Sequence, residues 1–320
     1  MKTIAVLTSG GDAPGMNAAV RAVVRAGIAK NMNVKGIMRG YSGLIDGDII
    51  DLNARSVSDI IHRGGTMLYT ARCPEFKTKE GIDKAVETCK EFGIEGIVVI
   101  GGDGSFRGAR DLSLAGIPCV GVPGTIDNDI SSTEYTIGYD TAMNTAMEMV
   151  DKLRDTAQSH ERCSVVQVMG RKAGYLALQT GIACGAVSIL VPEVEFDIEK
   201  DVIEKIRTIQ KTGKKHFIVV VAEGVGGVED IAKKIEQATG IESRATILGH
   251  VQRGGSPTVR DRVMASQFGY HAVDLLSRGI GNRVVTYKNN AIGDEDIYEA
   301  LAMVKIFDKE EYDMATAISI

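Results

Sequence analysis

Short runs of β-branched and other apolar residues, each stopped by a glycine-bearing turn and often followed by a helical pattern, recur along this 320-residue chain. They constrain the fold more than any other feature. The runs at 4–7, 97–100 and 120–122 stop at TSGGD, GGDGS and PGTIDND, and those at 165–169, 218–222 and 246–248 stop at GRKAG, EGVGG and GHVQRGG. Apolar runs without alternation suit strands buried on both faces, as in parallel sheets. Between them Ile198, Val202, Ile203, Ile206 and Ile209 repeat at helical spacing, as do Val228, Ile231 and Ile235. This alternation predicts an α/β protein with doubly wound, mostly parallel sheets and a long helix over about 141–157. In such sheets ligands bind beyond the carboxyl ends of the strands, where the glycine turns lie.

The length exceeds one ordinary core, so two domains are expected. A formal net charge of −5 argues against a general nucleic-acid binder, and any bound anion must be held by a local cluster of cations. Cys73, Cys89, Cys119, Cys163 and Cys184 include no C-x-x-C pair, which favours reduced thiols over a disulfide framework or a zinc site. The opening apolar run is broken at Ser9, Gly10, Gly11 and Asp12, too soon for a signal peptide. No apolar stretch approaches the roughly 20 residues that span a bilayer. A cytoplasmic protein with no membrane or nucleic-acid partner is expected.

The turn TSGGDAPG leads into a helical pattern, so Gly10 and Gly11 can let backbone approach a ligand while the helix start offers free N–H groups to an anion. A tight turn without a ligand reads equally well from this motif alone. It is not a P-loop, because the G-x-x-x-x-G-K-[ST] lysine is missing. GGDGS places Asp103 among glycines at a strand end, suited to hold Mg²⁺ against nucleotide phosphates, and Ser105 can add a hydroxyl; a structural Asp-Gly turn is the bland alternative. PGTIDND carries Asp127 and Asp129 on one loop. In phosphoryl transfer one such Asp commonly accepts the proton of the attacking hydroxyl. Two carboxylates near a phosphate need balancing cations. Arg72, Arg162, Arg171, Arg244 and Arg253, with His250, are expected in or beside the glycine turns, and arginine favours bidentate phosphate binding.

The ordered set TSGGDAPGMNA, IHRGG, ARCPEF, GGDGS, PGTIDND, MGRKAG, AEGVGG and LGHVQRGGSP resembles the bacterial 6-phosphofructokinase family over essentially the whole chain. The resemblance implies an ATP-binding domain of 1–138 plus about 257–304, and a fructose-6-phosphate domain of 139–256 plus about 305–320. It implies a cytoplasmic homotetramer that uses Mg²⁺ with ATP. Gly11, Arg72, Cys73, Gly102, Asp103, Gly104 and Ser105 become ATP contacts, with Asp103 on the metal. Thr125, Ile126 and Asp127 would face the transferring phosphoryl group, with Asp127 as base for the sugar 1-hydroxyl and Gly11, Thr125 and Arg171 in the catalytic set. Thr125, Ile126 and Asp127, with Met169, Gly170, Arg171, Glu223, His250, Val251, Gln252 and Arg253, would bind fructose 6-phosphate. Arg162 and Arg244 would reach its 6-phosphate from a neighbouring subunit. Arg21, Arg25, Asp59, Arg154, Gly185, Lys214, Lys215 and His216 resemble the site for the effectors ADP and phosphoenolpyruvate. There Val187 replaces the usual acidic metal ligand. Thr212 replaces an arginine, with one extra residue near 195–201 disturbing the register.

Three alternatives differ in class. Pyrophosphate-using relatives tend to carry Asp and Lys where this chain has Gly104 and Gly124, two glycines expected to leave room for the α-phosphate and nucleoside of ATP. A dinucleotide oxidoreductase would need a G-x-G-x-x-G opening a helix, with an acidic residue at the end of the second strand. A non-catalytic sugar-phosphate sensor would have no need of Asp103, Asp127 and Arg171 together.

Overall fold

The computed structural model describes residues 1–319. The chain forms two compact units from non-contiguous segments. Unit 1 takes Met1–Ile126, Ile130–Thr141 and Arg253–Lys305; unit 2 takes Asp127–Asp129, Ala142–Gln252 and the chain from Ile306 onward.

Unit 1 contains β1 (Thr3–Ser9), β2 (Asn33–Ile37), β3 (Ile49–Leu52), β4 (Gly96–Gly101) and β5 (Cys119–Pro123). Unit 2 contains β6 (Cys163–Val168), β7 (Ser188–Leu190), β8 (Phe217–Ala222) and β9 (Ser243–Ile247), after which β10 (Arg283–Lys288) and β11 (Ala291–Asp296) return to unit 1. The larger sheet runs β11-β10-β5-β4-β1-β2-β3. It is parallel except at its edges, where β3 and β11 pair antiparallel with β2 and β10. All of β4 is buried, as an uninterrupted apolar run flanked on both sides requires. The order turns about β1, with β2 on one side and β4 on the other, so the carboxyl ends of β1 and β4 flank a switch point. The smaller sheet, β7-β8-β6-β9, is wholly parallel and turns about β6 in the same way.

The expected long helix spans Tyr139–His160. The periodic apolar residues at 198–209 do form a helix, but it opens as a π-helical turn over Glu199–Ile203 before becoming α-helical over Glu204–Gln210. A π turn accommodates one residue more than an α-helix would, in the stretch where the extra residue was noted. All five cysteines are free thiols. Burial pushes Cys89 and Cys163 up to about 12 and Cys184 up to about 11, which suppresses thiolate chemistry there. Among the described residues no helix is long and apolar enough to cross a membrane.

Candidate active site

In unit 1 three neighbouring strands deliver their turns side by side. β1 ends at Gly10 and Gly11, and the helix Met16–Ala29 starts after Gly15, whose φ of 105° only glycine takes up readily. β4 ends at Gly101, and the helix Asp103–Leu114 follows at once behind Gly102, with no side chain capping its first turn. Each helix start offers unpaired N–H groups and the positive end of the dipole, which is what a polyphosphate needs. The Gly124 N–H donates to the Gly101 carbonyl at 2.9 Å and ties the PGTIDND loop to the GGDGS turn. Buried Tyr41 donates its Oη to the Ser105 carbonyl at 2.5 Å. The segment carrying Arg72 and Cys73 is drawn to the first turn: Thr8 Oγ1 donates to the Tyr69 carbonyl at 2.9 Å and Thr70 Oγ1 to the Gly10 carbonyl at 2.7 Å. Asp103 remains 44% exposed and pairs with Arg107 at 3.0 Å. One hard carboxylate oxygen beside open helix N–H groups fits Mg²⁺, which is commonly held by one or two carboxylates together with substrate phosphates.

Arg253 lies in unit 1, as do Thr125 and Ile126, whereas Met169, Gly170, Arg171, Glu223, His250, Val251 and Gln252 lie in unit 2. The Arg253 guanidinium donates to the Asp12 carbonyl at 3.2 Å, and a Cβ on Gly11 would sit 2.6 Å from its Nη1. A side chain at Gly11 would have to displace the Arg253 guanidinium.

In unit 2 the carboxyl ends of β6, β8 and β9 are linked to one another. Arg171 N–H donates to Glu223 Oε2 at 3.0 Å, Met169 N–H to Gln252 Oε1 at 2.9 Å, and Glu223 N–H to the Val168 carbonyl at 2.9 Å. Arg171 itself takes φ 59°, an unusual left-handed conformation for a residue with a side chain. Met169, Gly170, Arg171, Glu223, His250, Val251 and Gln252 therefore come together. Asp127 is 5% exposed and Thr125, in unit 1, 8% exposed.

Arg162 and Arg244 do not join this cluster, and the expectation that they lie at the glycine turns is corrected. Arg162 immediately precedes β6 and Arg244 is the second residue of β9, so both sit at the amino ends of the strands. With a rise of ~3.3 Å per residue, the length of β6 puts them ~17 Å from the turn after it. Glu242 holds both: Arg162 Nε donates to Oε2 at 2.8 Å, and Arg244 donates through Nε and Nη2 to Oε1 at 2.8 and 2.6 Å. The Arg162 hydrogen bond first, then that of Arg244, keeps the Glu242 carboxyl below its ordinary range. That contribution is present above the unfolded carboxylate pKa and lost as pH falls through the lower folded value. Sequence reading did not single out Glu242, although its place two residues before Arg244 puts both on one side of an extended chain.

The residues expected to form an effector site fall in both units. Unit 1 holds Asp59 and, on the helix Met16–Ala29, Arg21 and Arg25. Burial and then the Arg25 charge lower the Arg21 guanidinium from its usual value. Unit 2 holds Arg154, which donates to the Cys184 carbonyl, together with Gly185, Lys214, Lys215 and His216. Lys215 pairs with Glu161 at 2.7 Å. Burial, then the charges of Lys214 and Arg154, lower the His216 pKa. Val187 is only 2% exposed within the apolar core of unit 2, and Thr212 donates its hydroxyl to the Ile209 carbonyl at 2.7 Å.

Turns at a sheet switch point, backed by helix N-termini and arginines, define a phosphate-handling α/β protein. The family Phosphofructokinase matches residues 3–276, and the chain belongs to it. It is 59% identical over 319 residues to an ATP-dependent 6-phosphofructokinase of Clostridium botulinum (strain Hall), covering 100% of both chains. It is 58% identical over 320 residues, again with 100% coverage of both, to the protein of that name from Bacillus cytotoxicus. The crystal structure of Pichia pastoris phosphofructokinase matches with a TM-score of 0.90 and 36% identity; 99% of this chain covers 36% of the yeast chain.

Proposed function

We propose that the chain is a cytoplasmic ATP-dependent 6-phosphofructokinase. The 1-hydroxyl oxygen of fructose 6-phosphate attacks the γ-phosphorus of ATP, the bond from that phosphorus to the β,γ-bridging oxygen breaks, and ADP leaves. Asp127 takes the hydroxyl proton. Arg171 steadies the charge on the transferring group, and Thr125 and the Gly11 backbone orient it. The nucleotide is assigned to Gly11, Arg72, Cys73, Gly102, Gly104 and Ser105, and the sugar phosphate to Thr125, Ile126, Asp127, Met169, Gly170, Arg171, Glu223, His250, Val251, Gln252 and Arg253. Mg²⁺, held by Asp103 and the phosphate oxygens, would supply charge neutralisation. The observation that carries this reading is the pair of uncapped helix starts at adjacent strand ends in a member of this family. A coupled assay of ADP release with ATP and fructose 6-phosphate tests it; absence of turnover with both at millimolar concentration would overturn it.

Arg162 and Arg244 serve the 6-phosphate of a neighbouring copy in a homotetramer. Their place at the amino ends of β6 and β9 supports this, because residues at opposite ends of one sheet cannot share a phosphate within a chain. Losing a hydrogen bond to a charged group costs about 1.5–3 kcal/mol, so Arg162→Ala or Arg244→Ala should raise the KM for fructose 6-phosphate by ~10–100-fold. Hybrids of Arg162→Ala and Asp127→Ser chains, verified by native mass spectrometry, should recover part of the activity that each lacks alone. Hybrids with no recovered activity would place the arginines in service of their own chain.

Regulation by ADP and phosphoenolpyruvate is weaker than is usual for the family. Val187 cannot ligate a metal, and the one hydroxyl of Thr212 is engaged by a helix-end carbonyl. Restoring an acidic side chain with Val187→Glu would drive a carboxylate into the core of unit 2, so a changed side chain alone does not rebuild the site. The fructose 6-phosphate saturation curve should shift less than threefold in midpoint with millimolar phosphoenolpyruvate. A strongly sigmoidal curve at low effector concentration is the contrary result.

A further inference from the structure

Asp261 has no part in the reaction just described, yet it is a fully buried carboxylate with four donors aimed at it. Oδ1 accepts from Tyr135 Oη at 2.5 Å and from Gly138 N–H at 2.7 Å; Oδ2 accepts from Thr141 N–H at 2.8 Å and Thr141 Oγ1 at 2.5 Å. Burial pushes its pKa up, while these hydrogen bonds pull it down. It stands in the first turn of the helix Val259–Ser277, whose N-cap Thr258 accepts from the Asp261 N–H at 3.2 Å. Thr258-Val-Arg-Asp261 has the spacing of a capping box, in which the acidic side chain would return to the N–H of its own cap. Here that N–H is taken instead by Thr141 Oγ1 at 3.1 Å. The carboxylate is thereby left to cap a different helix, the one starting at Tyr139, where the positive end of the dipole also favours it.

What it anchors leads to the phosphoryl-transfer loop. The residues just before Gly138 pair with that loop: Ile137 N–H donates to the Pro123 carbonyl at 2.9 Å, Thr136 Oγ1 donates to the Thr125 carbonyl at 2.7 Å, and Gly124 and Ile137 form an isolated parallel bridge. The same segment lies against the first glycine turn. A Cβ on Gly138 would sit 2.6 Å from that of Ala13 and 3.3 Å from Ile126 Cγ2, and a Cβ on Gly15 would meet Ile137 Cγ2 at 2.7 Å. Gly138 itself takes φ 100°, so neither its conformation nor its surroundings admit a side chain. The segment at 135–138 thus acts as a splint along the PGTIDND loop, fixed at its far end by one carboxylate.

We infer that Asp261 is a positioning residue for phosphoryl transfer, acting through Tyr135, Thr136 and Gly138 to hold Thr125 and the backbone leading to Asp127 in register. This rests on the function proposed above. Misplacement of reacting groups by about 1 Å can cost ~10²-fold in rate, so Asp261→Asn should lower kcat by roughly 30–100-fold, with the KM for ATP within about twofold of the parent. Asparagine keeps one acceptor oxygen but turns an NH₂ toward donors. Thr136→Val, which cuts the splint at its other end, should lower kcat by ~10-fold. Because both act on one path, the double variant should lose little more than Asp261→Asn alone.

The experiment compares the full chain and these three variants in the ATP and fructose 6-phosphate assay, each at least about 15 °C below its own Tm. Hydrogen–deuterium exchange of the peptide over 123–141 is followed in parallel. That peptide should exchange faster in Asp261→Asn while β6 does not. An Asp261→Asn enzyme with kcat within twofold of the parent, losses that multiply in the double variant, or unchanged exchange over 123–141 would each overturn the inference. If Asp261→Asn does not fold, Tyr135→Phe removes one donor, leaves the carboxylate in place, and should lower kcat by ~3–10-fold with the same local exchange. Exchange needs no substrate. A parent inactive on fructose 6-phosphate therefore refutes the proposed function, while the exchange result still decides whether Asp261 holds the loop.

Discussion

Replacing Asp127 by serine should lower kcat by ~10²–10⁴-fold, the usual range for loss of a general base, and leave the KM for fructose 6-phosphate almost unchanged. The separation of the two parameters follows from where the binding groups are. The cations assigned to the sugar phosphate are on other segments, at Arg171 after β6, His250 and Arg253 after β9, and Arg162 and Arg244 at the amino ends. The loop before Asp127 is tied down by backbone and by Thr136, so a shorter side chain at 127 should not let it drift. An interaction made mainly in the transition state lowers kcat and kcat/KM together. Steady-state kinetics on a variant whose Tm matches the parent provide the check. Near-normal kcat would take the base role from Asp127.

Gly104→Asp should abolish most use of ATP without destabilising the protein. A Cβ at Gly104 meets nothing within 4 Å, and the position lies in the first turn of the helix Asp103–Leu114, where an acidic side chain suits the dipole. Folding should therefore tolerate the change, with Tm shifting by no more than ~3 °C. Nucleotide phosphates at that helix start would face a new like charge. At ~4 Å and an effective dielectric of 20 such a pair repels by about 4 kcal/mol, and solvent and Mg²⁺ screen part of this. We expect kcat/KM for ATP to fall by ~10²-fold or more while the KM for fructose 6-phosphate holds. Paired assays with ATP and pyrophosphate decide the matter, and an unaltered kcat/KM for ATP would move the nucleotide away from this turn. Gly124 behaves differently from the sequence-based expectation. A Cβ there would come within 3.2 Å of Ile100 Cγ2 and 3.4 Å of Met16 Cε, so this glycine allows close packing beneath the loop more than it opens space for a nucleoside.

The sequence was legible where chemistry and backbone demand coincide. β1, β4, β5, β6 and β8 are largely apolar runs that lead into glycine-bearing turns, and those turns are where the candidate ligand groups gather. The strands without that signature were not read from it. β2 is five residues with one exposed and one half-buried, β7 is three residues long, and β10 and β11 form a hairpin whose turn, Asn289 and Asn290, takes φ of 51° and 60°. Two asparagines in left-handed conformation are a recognisable hairpin signal, but they follow an apolar run too polar at its end to suggest a buried strand. The placement of Arg162 and Arg244 could not be read from motif proximity, because amino and carboxyl ends of a strand look alike until its direction in the sheet is known. Asp261 was hidden for another reason. Its spacing from Thr258 has an ordinary local explanation, and only tertiary structure shows the carboxylate turned to another helix.

The discontinuous make-up of unit 1 bears on how the chain reaches its native state. The outer edge of β5 is covered by β10, which lies 160 residues later, at Val120↔Arg283 and Gly121↔Val284. Until β10 arrives, β5 is an apolar strand with a bare hydrogen-bonding edge, the kind of surface on which chains pair wrongly. Synthesis at ~5–20 residues per second keeps that edge uncovered for roughly 8–32 s. Pairings so distant in sequence are also slow to form, because the loop must close before any contact rewards it. Unit 2, built chiefly from one continuous stretch, faces no such delay. A nascent chain would therefore have every strand of its second sheet, 163–247, before β10 arrives to complete the first, and the interval is when chaperones have most to protect.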